Sequence, residues 1–128
     1  MIPGDVAGAA AQLPVPEAME MLKLYLREHL ADQVQIKSLA RLAALSPFYF
    51  IRMFKAQVGV PPHKYLTLVR MERAEELLRT SDLSVTQICH RVGFSSLSHF
   101  VTTFRKHNGM TPLEYRRSAT RVTPEAAA

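Results

Sequence analysis

The sequence predicts an all-α protein of about seven helices, arranged as two copies of one helical unit joined by a long connector helix. Three observations carry this. Apolar residues recur at helical spacing along nearly the whole chain, helix-start and helix-stop residues punctuate them, and one stretch repeats after fifty residues. No strand pattern competes.

From Val15 to about Ala31, Met19, Leu22, Leu26 and Leu30 fall on one stripe, with Tyr25 beside it. A short helix follows with Ile36, Leu39, Ala40 and Ala43 as its apolar face. Ser46-Pro47 is an N-cap followed by proline at the first helical position, and Gly59 supplies the stop. After Pro61-Pro62 a long helix is expected to about Arg79, with Tyr65, Leu66, Val69, Ala74, Leu77 and Leu78 as core contacts. Ser84-Val85-Thr86-Gln87 and Thr111-Pro112-Leu113-Glu114 both match the capping box, so helices should begin at Val85 and Pro112. Between them Ser95 is expected to open a helix that Gly109 closes. The chain thus divides into a flexible leader (1–14), an N-terminal subdomain (15–60), a connector (61–80), a C-terminal subdomain (81–118) and a flexible tail (119–128).

Phe50-Ile51-Arg52-Met53-Phe54-Lys55 recurs as Phe100-Val101-Thr102-Thr103-Phe104-Arg105, and the match continues through Gly59/Gly109, Pro62/Pro112 and Tyr65/Tyr115. Upstream, Ile36, Leu39, Ala40 and Ala44 match Val85, Ile88, Cys89 and Gly93 at an offset one residue shorter. The slip falls between a short helix and a longer one, where a turn absorbs it. Each unit is therefore short helix, tight turn, longer helix, with Ala40 or Cys89 as the small residue where the two helices cross. Gly93 suits a left-handed turn; Ala44 in its place costs on the order of 1 kcal/mol if the geometry is kept. This is the helix-turn-helix pattern, whose second helix enters the DNA major groove.

Charge agrees with a polyanionic partner. The formal net charge is +5 and the pI near 9.7, and the excess is uneven. Residues 1–45 carry four bases and five acids, whereas residues 46–128 carry twelve bases and six acids. The single cysteine, Cys89, allows no intrachain disulfide. No apolar run reaches the roughly 20 residues of a membrane span, and the N-terminus lacks the pattern of a signal peptide, so a cytoplasmic location is expected.

Turning each longer helix by about 100° per residue separates a core face from an outward face. In the first, Phe50, Phe54, Met53 and Val58 converge on the core. Phe48, Arg52 and Lys55 point the other way, with Ile51 at the margin. Exposed apolar groups beside an arginine ask for a partner, and base edges provide one: thymine methyls accept apolar contact, and Arg can bind guanine O6 and N7 together. In the second, Phe100 and Phe104 hold the core face while Ser98, Thr102 and Arg105 point away, flanked by His99 and Val101; Leu97 lies near the core edge. These groups are small or weakly polar, so the second unit is expected to discriminate bases less strongly. Lys55, Arg105 and Lys106 suit phosphates, as do the helix N-termini expected at Ser46 and Ser95. A connector from Pro62 to Arg79 would be about 27 Å long at about 1.5 Å per residue. With its flanking turns it could set two reading helices one major-groove repeat of about 34 Å apart, on a site of about 20 base pairs.

The segment from about Pro16 to Arg117 resembles the DNA-binding domain of AraC/XylS-type transcriptional regulators. The resemblance is carried by Ile88-Cys89-His90-Arg91-Val92-Gly93-Phe94-Ser95-Ser96, by Phe100 and Phe104-Arg105-Lys106, by Gly109-Met110-Thr111-Pro112 and Tyr115-Arg116, and by Arg70-Met71, Ala74 and Leu77-Leu78 in the connector. It implies two helix-turn-helix subdomains that bind double-stranded promoter DNA and usually activate transcription through RNA polymerase. Carried over, the base-reading positions are Phe48, Ile51 and Arg52, then Leu97, Ser98, His99 and Thr102; Thr102 stands where such proteins often have a basic residue. Most relatives also carry an effector-binding or dimerisation domain, for which this chain has no room, and it shows no small-molecule effector site of its own. A short family member and a domain of a longer regulator both fit.

Rival classes are weaker. Cys89 and His90 are adjacent, and neighbours on a helix point about 100° apart, so they do not form a nucleophile–base pair. Nothing else suggests an enzyme. The histidines are scattered and there is no Cys-x-x-Cys, so neither metal nor cofactor is expected. A helical protein–protein adaptor is the alternative that exposed apolar groups leave open.

Overall fold

The computed structural model describes residues 10–127, with side chains to Ala119. Most of the leader read at 1–14 lies outside the described residues, but Ala10 to Gln12 are helical and Ala10 is buried. The fold is all-α. Seven helices follow: α1 (Val15–Glu28), α2 (Ile36–Leu42), α3 (Pro47–Val58), α4 (Pro62–Thr80), α5 (Val85–Arg91), α6 (Leu97–Asn108) and α7 (Pro112–Ala127). There is no strand among the described residues.

The chain forms two compact units, residues 1–68 and 69–128. In the first, α3 packs on both α1 and α2. Met19, Leu22, Leu26, Leu39, Phe50 and Phe54 are buried there, and the opening turns of α4 add Tyr65. In the second, α6 packs on α5 and α7, with Met71, Ala74, Leu78, Ile88, Val92, Phe100 and Phe104 buried. Leu66, expected in the core, is only half-buried. Helix α1 stops at Glu28, three residues short of the expected end. His29 leaves helical geometry, stacks on Tyr25 at 4.3 Å between ring centroids and lies 3.1 Å from the Asp32 carboxylate.

Local chemistry sets the other ends. The Ser84 hydroxyl accepts from the Gln87 N–H at 3.1 Å, and the Gln87 side chain accepts from the Ser84 N–H at 2.8 Å. Thr111 and Glu114 repeat this arrangement at 3.2 and 2.8 Å. Hydrogen bonds to the backbone and hydroxyl of Thr111 hold the Glu114 carboxyl below its ordinary range. Gly59 and Gly109 end α3 and α6 in the left-handed conformation. Helix α7 continues to Ala127, past the point where a flexible tail was expected.

The repeat is deeper in three dimensions than in the sequence. Phe54 meets Tyr65 edge-on at 5.8 Å, and Phe104 meets Tyr115 at 5.5 Å. An arginine from the preceding long helix then closes each unit. Arg27 Nε donates to the Tyr65 hydroxyl and Arg79 Nη1 to the Tyr115 hydroxyl, each at 2.7 Å. The arginines are fifty-two residues apart and the tyrosines fifty, so no single offset exposes the pairing.

Both short helices end in the same Schellman turn. Leu45 N–H donates to Ala40 C=O at 2.9 Å and Ala44 N–H to Arg41 C=O at 3.1 Å. The matching bonds run from Phe94 to Cys89 at 3.0 Å and from Gly93 to His90 at 3.1 Å. The turn requires positive φ, which is 99° at Gly93 and 57° at Ala44. Ala44 is therefore strained, as the repeat predicted. Ala44→Gly should stabilise the protein by up to about 1 kcal/mol, whereas Gly93→Ala should destabilise it by about 1–2 kcal/mol. Urea unfolding of both variants checks this; equal effects of the same sign would contradict it.

Candidate nucleic-acid interface

Helices α3 and α6 are each twelve residues long. Each buries two phenylalanines one turn apart: Phe50 and Phe54, then Phe100 and Phe104. Their ring centroids lie 5.8 and 6.0 Å apart. Because successive side chains advance by about 100°, these anchors fix which residues face outward. Arg52 and Thr102 fall directly opposite them.

On α3, Phe48, Ile51, Arg52 and Lys55 are all exposed on one face. Phe48 is 72% exposed and Ile51 36%, high values for apolar groups. The Arg52 guanidinium lies over the Phe48 ring, 5.9 Å from its centroid, within cation–π range. Charge and apolar surface thus form one contiguous element.

On α6, Leu97, Ser98, His99, Thr102, Arg105 and Lys106 are exposed. Leu97 sits near the core edge by rotation yet is 41% exposed. It is the first residue of α6, and no preceding helical turn covers it. His99 meets the edge of Phe94 at 5.3 Å, and Phe94 packs on Phe100 at 5.4 Å. The Arg70 guanidinium lies over the same Phe94 ring at 5.8 Å, so the start of α6 is tied back to α4. His107 also reaches α4, with Nε2 3.7 Å from the Glu75 carboxylate. Arg105 contributes a weaker Coulombic pull on Glu114.

One correction concerns the caps. Ser46 caps α3 as expected, its hydroxyl accepting from Tyr49 N–H at 3.3 Å. Ser95 does not cap α6. Ser96 does, accepting from His99 N–H at 3.2 Å, and Ser95 is an exposed residue in the turn before it. The repeat already held the answer, because Ser46 plus fifty is Ser96. The same offset pairs His99 with Tyr49, which is 44% exposed in the first turn of α3 and which the sequence reading did not single out.

Cys89 is buried at the helix crossing, and its Sγ donates to the Phe94 carbonyl at 3.6 Å. Burial pushes its thiol pKa upward, the opposite of what a nucleophile needs. Among the described residues no cluster of three or more His, Cys, Asp or Glu could hold a metal, and no helix is long and apolar enough to cross a membrane.

Two helix-turn-helix units in tandem, each with an exposed second helix, define a protein of the DNA-binding class. The comparisons narrow this. Residues 39–118 match a family model described as a helix-turn-helix domain. The chain is 38% identical over 99 residues to the HTH-type transcriptional activator RhaS of Escherichia coli, covering 77% of this chain and 36% of that protein. It is similar to the C-terminal domain of AraT, a response regulator from Geobacillus stearothermophilus, with 33% identity and a TM-score of 0.74 over 83% of this chain and 86% of that one. It is similar also to the DNA-binding domain of AdpA, a global transcriptional factor solved with a target DNA. That match has 32% identity and a TM-score of 0.79 over 83% of this chain and 96% of that one. The chain belongs to the AraC-type family of helix-turn-helix transcriptional regulators. It spans about a third of the length of the curated relatives it matches.

The cap assignment is directly testable. Ser96→Ala should cost about 1 kcal/mol of stability by loss of an N-cap, and Ser95→Ala no more than a few tenths. Thermal unfolding distinguishes them; a larger loss at Ser95 would restore it as the capping residue.

Proposed function

We propose that this chain binds a promoter site of about 20 base pairs by inserting α3 and α6 into successive major grooves, and that it activates transcription from there. The observation that carries the reading is the pair of anchored helices with exposed outward faces. Phe48, Ile51 and Arg52 read bases in the first half-site. Leu97, Ser98, His99 and Thr102 read the second, with Tyr49 added on the strength of its equivalence to His99. Lys55, Arg105 and Lys106 meet phosphates, as do the helix starts at Ser46 and Ser96, with Ser95 in the adjoining turn. The protein works in the cytoplasm, without catalysis. RNA polymerase is its protein partner, a role that the description of RhaS as an activator supports.

The energetics divide accordingly. Arg52→Ala should weaken the best site by about 1–3 kcal/mol and relax preference at one base pair. Lys106→Ala should instead weaken all sequences alike and flatten the salt dependence by about one unit. The three phosphate-facing cations alone predict a log–log salt slope near about −3, at roughly 0.9 per neutralised phosphate. Fluorescence anisotropy on a selected duplex between low and moderate salt measures all three. A salt-insensitive interaction would favour the adaptor reading, in which the exposed apolar faces meet protein. A footprint of only one helical turn would remove the second groove from the proposal.

A further inference from the structure

The character of the α3 face specifies more than guanine recognition. Resting on the DNA-binding reading above, we propose that α3 recognises a guanine together with the 5-methyl group of a pyrimidine within two base pairs of it. That pyrimidine is a thymine or a 5-methylcytosine.

Arg52 stands directly opposite the two buried phenylalanines and is the α3 residue aimed most squarely outward. Its planar fork of donors matches guanine O6 and N7. One face of that fork is already taken, because the guanidinium lies over the Phe48 ring at 5.9 Å. That contact, worth about 0.5–1 kcal/mol at an exposed site, favours arrangements in which Phe48 stays beside Arg52 when Arg52 binds a base. Successive bases along one strand are about 3.4 Å apart, so 5.9 Å falls between one and two base steps. Phe48 therefore arrives at a neighbouring base edge.

What it can accept there is limited. A ring 72% exposed has no polar atom and gains little from a cytosine amino group or an adenine edge. Of the unmodified bases, thymine alone offers an apolar group in the major groove. Ile51, three residues after Phe48 and so beside it on the same helix face, adds a second exposed apolar surface to the same contact. Unit 2 lacks the aromatic–guanidinium pair: the positions of Phe48 and Arg52 are Ser98 and Thr102. Joint recognition of guanine and a neighbouring methyl thus belongs to the half-site under α3.

The test uses the full chain and the tightest duplex selected from a random pool. Each thymine in the α3 half-site is replaced singly by uracil, which removes only the methyl group. One or two of these uracils, within two base pairs of the guanine, should each weaken binding about four-fold, the transfer value of one buried methyl. 5-Methylcytosine at those positions should restore affinity relative to cytosine by a similar factor. In Phe48→Ala the uracil and thymine duplexes should bind alike, with affinity for the thymine parent falling by about the same four-fold, while Arg52→Ala removes the guanine preference. Phe48 is exposed, so circular dichroism should report an unchanged fold. The inference is overturned if every uracil duplex binds as tightly as its thymine parent. It is overturned equally if the uracil penalty survives undiminished in both Phe48→Ala and Ile51→Ala, or if the selected sites lack a 5-methylpyrimidine near the guanine. In those cases selective binding that depends on Arg52 leaves the broader reading intact; absence of any selected duplex removes both.

Discussion

The burial of two phenylalanines one turn apart on each of α3 and α6 is the constraint on which the remaining structure depends. A reading helix must be fixed in rotation as well as position, because a shift of one residue turns its face by about 100°. Phe50 and Phe54 set that rotation in one unit, Phe100 and Phe104 in the other, and all four are fully buried. Truncating one such ring typically costs about 3–5 kcal/mol, a large part of a small domain's stability. Nothing at the outward positions has comparable structural weight. Those positions are therefore free to vary in chemistry while their geometry stays constant.

The same logic explains the turn before each reading helix. The Schellman turn points α3 or α6 across its short partner, and its hydrogen bonds are the same in both units. Geometry is kept even where the residue is unfavourable, at Ala44 with φ 57°. The strain is on the order of 1–2 kcal/mol. Packing of α3 against α1 and α2 outweighs it, so tertiary structure overrides local preference here rather than the reverse.

Much of this was legible in the sequence because it rests on periodicity and caps. The paired phenylalanines, both capping boxes, the glycine stops and the outward face of α3 all follow from spacing and from residue types with one physical role. What was not legible depends on context that spacing does not encode. Two adjacent serines cannot be told apart as caps by composition; only the offset to Ser46, or the hydrogen bond to His99, selects Ser96. Leu97 looks core-directed on a wheel that assumes an endless helix, yet it is the first residue of a real one. The Arg27–Tyr65 and Arg79–Tyr115 bonds are long-range, and their slightly different spacings conceal the equivalence. Tyr49 was missed although the same offset that paired Phe50 with Phe100 pairs it with His99.

The two outward faces differ on a shared frame, and the difference has an energetic direction. At the central outward position one unit has Arg52, able to make two charge-assisted hydrogen bonds to one base, and the other Thr102, with a single short hydroxyl. Beside them stand Phe48 and Ser98. A large aromatic–guanidinium element has more contact to lose at a wrong base than a serine–threonine face, so the proposed reading places most of the discrimination under α3. The second unit keeps its cations, Arg105 and Lys106, which attract any phosphate backbone. Asymmetry of this kind suits one polypeptide, and under the proposed reading α3 supplies most of the choice of sequence while α6 adds affinity.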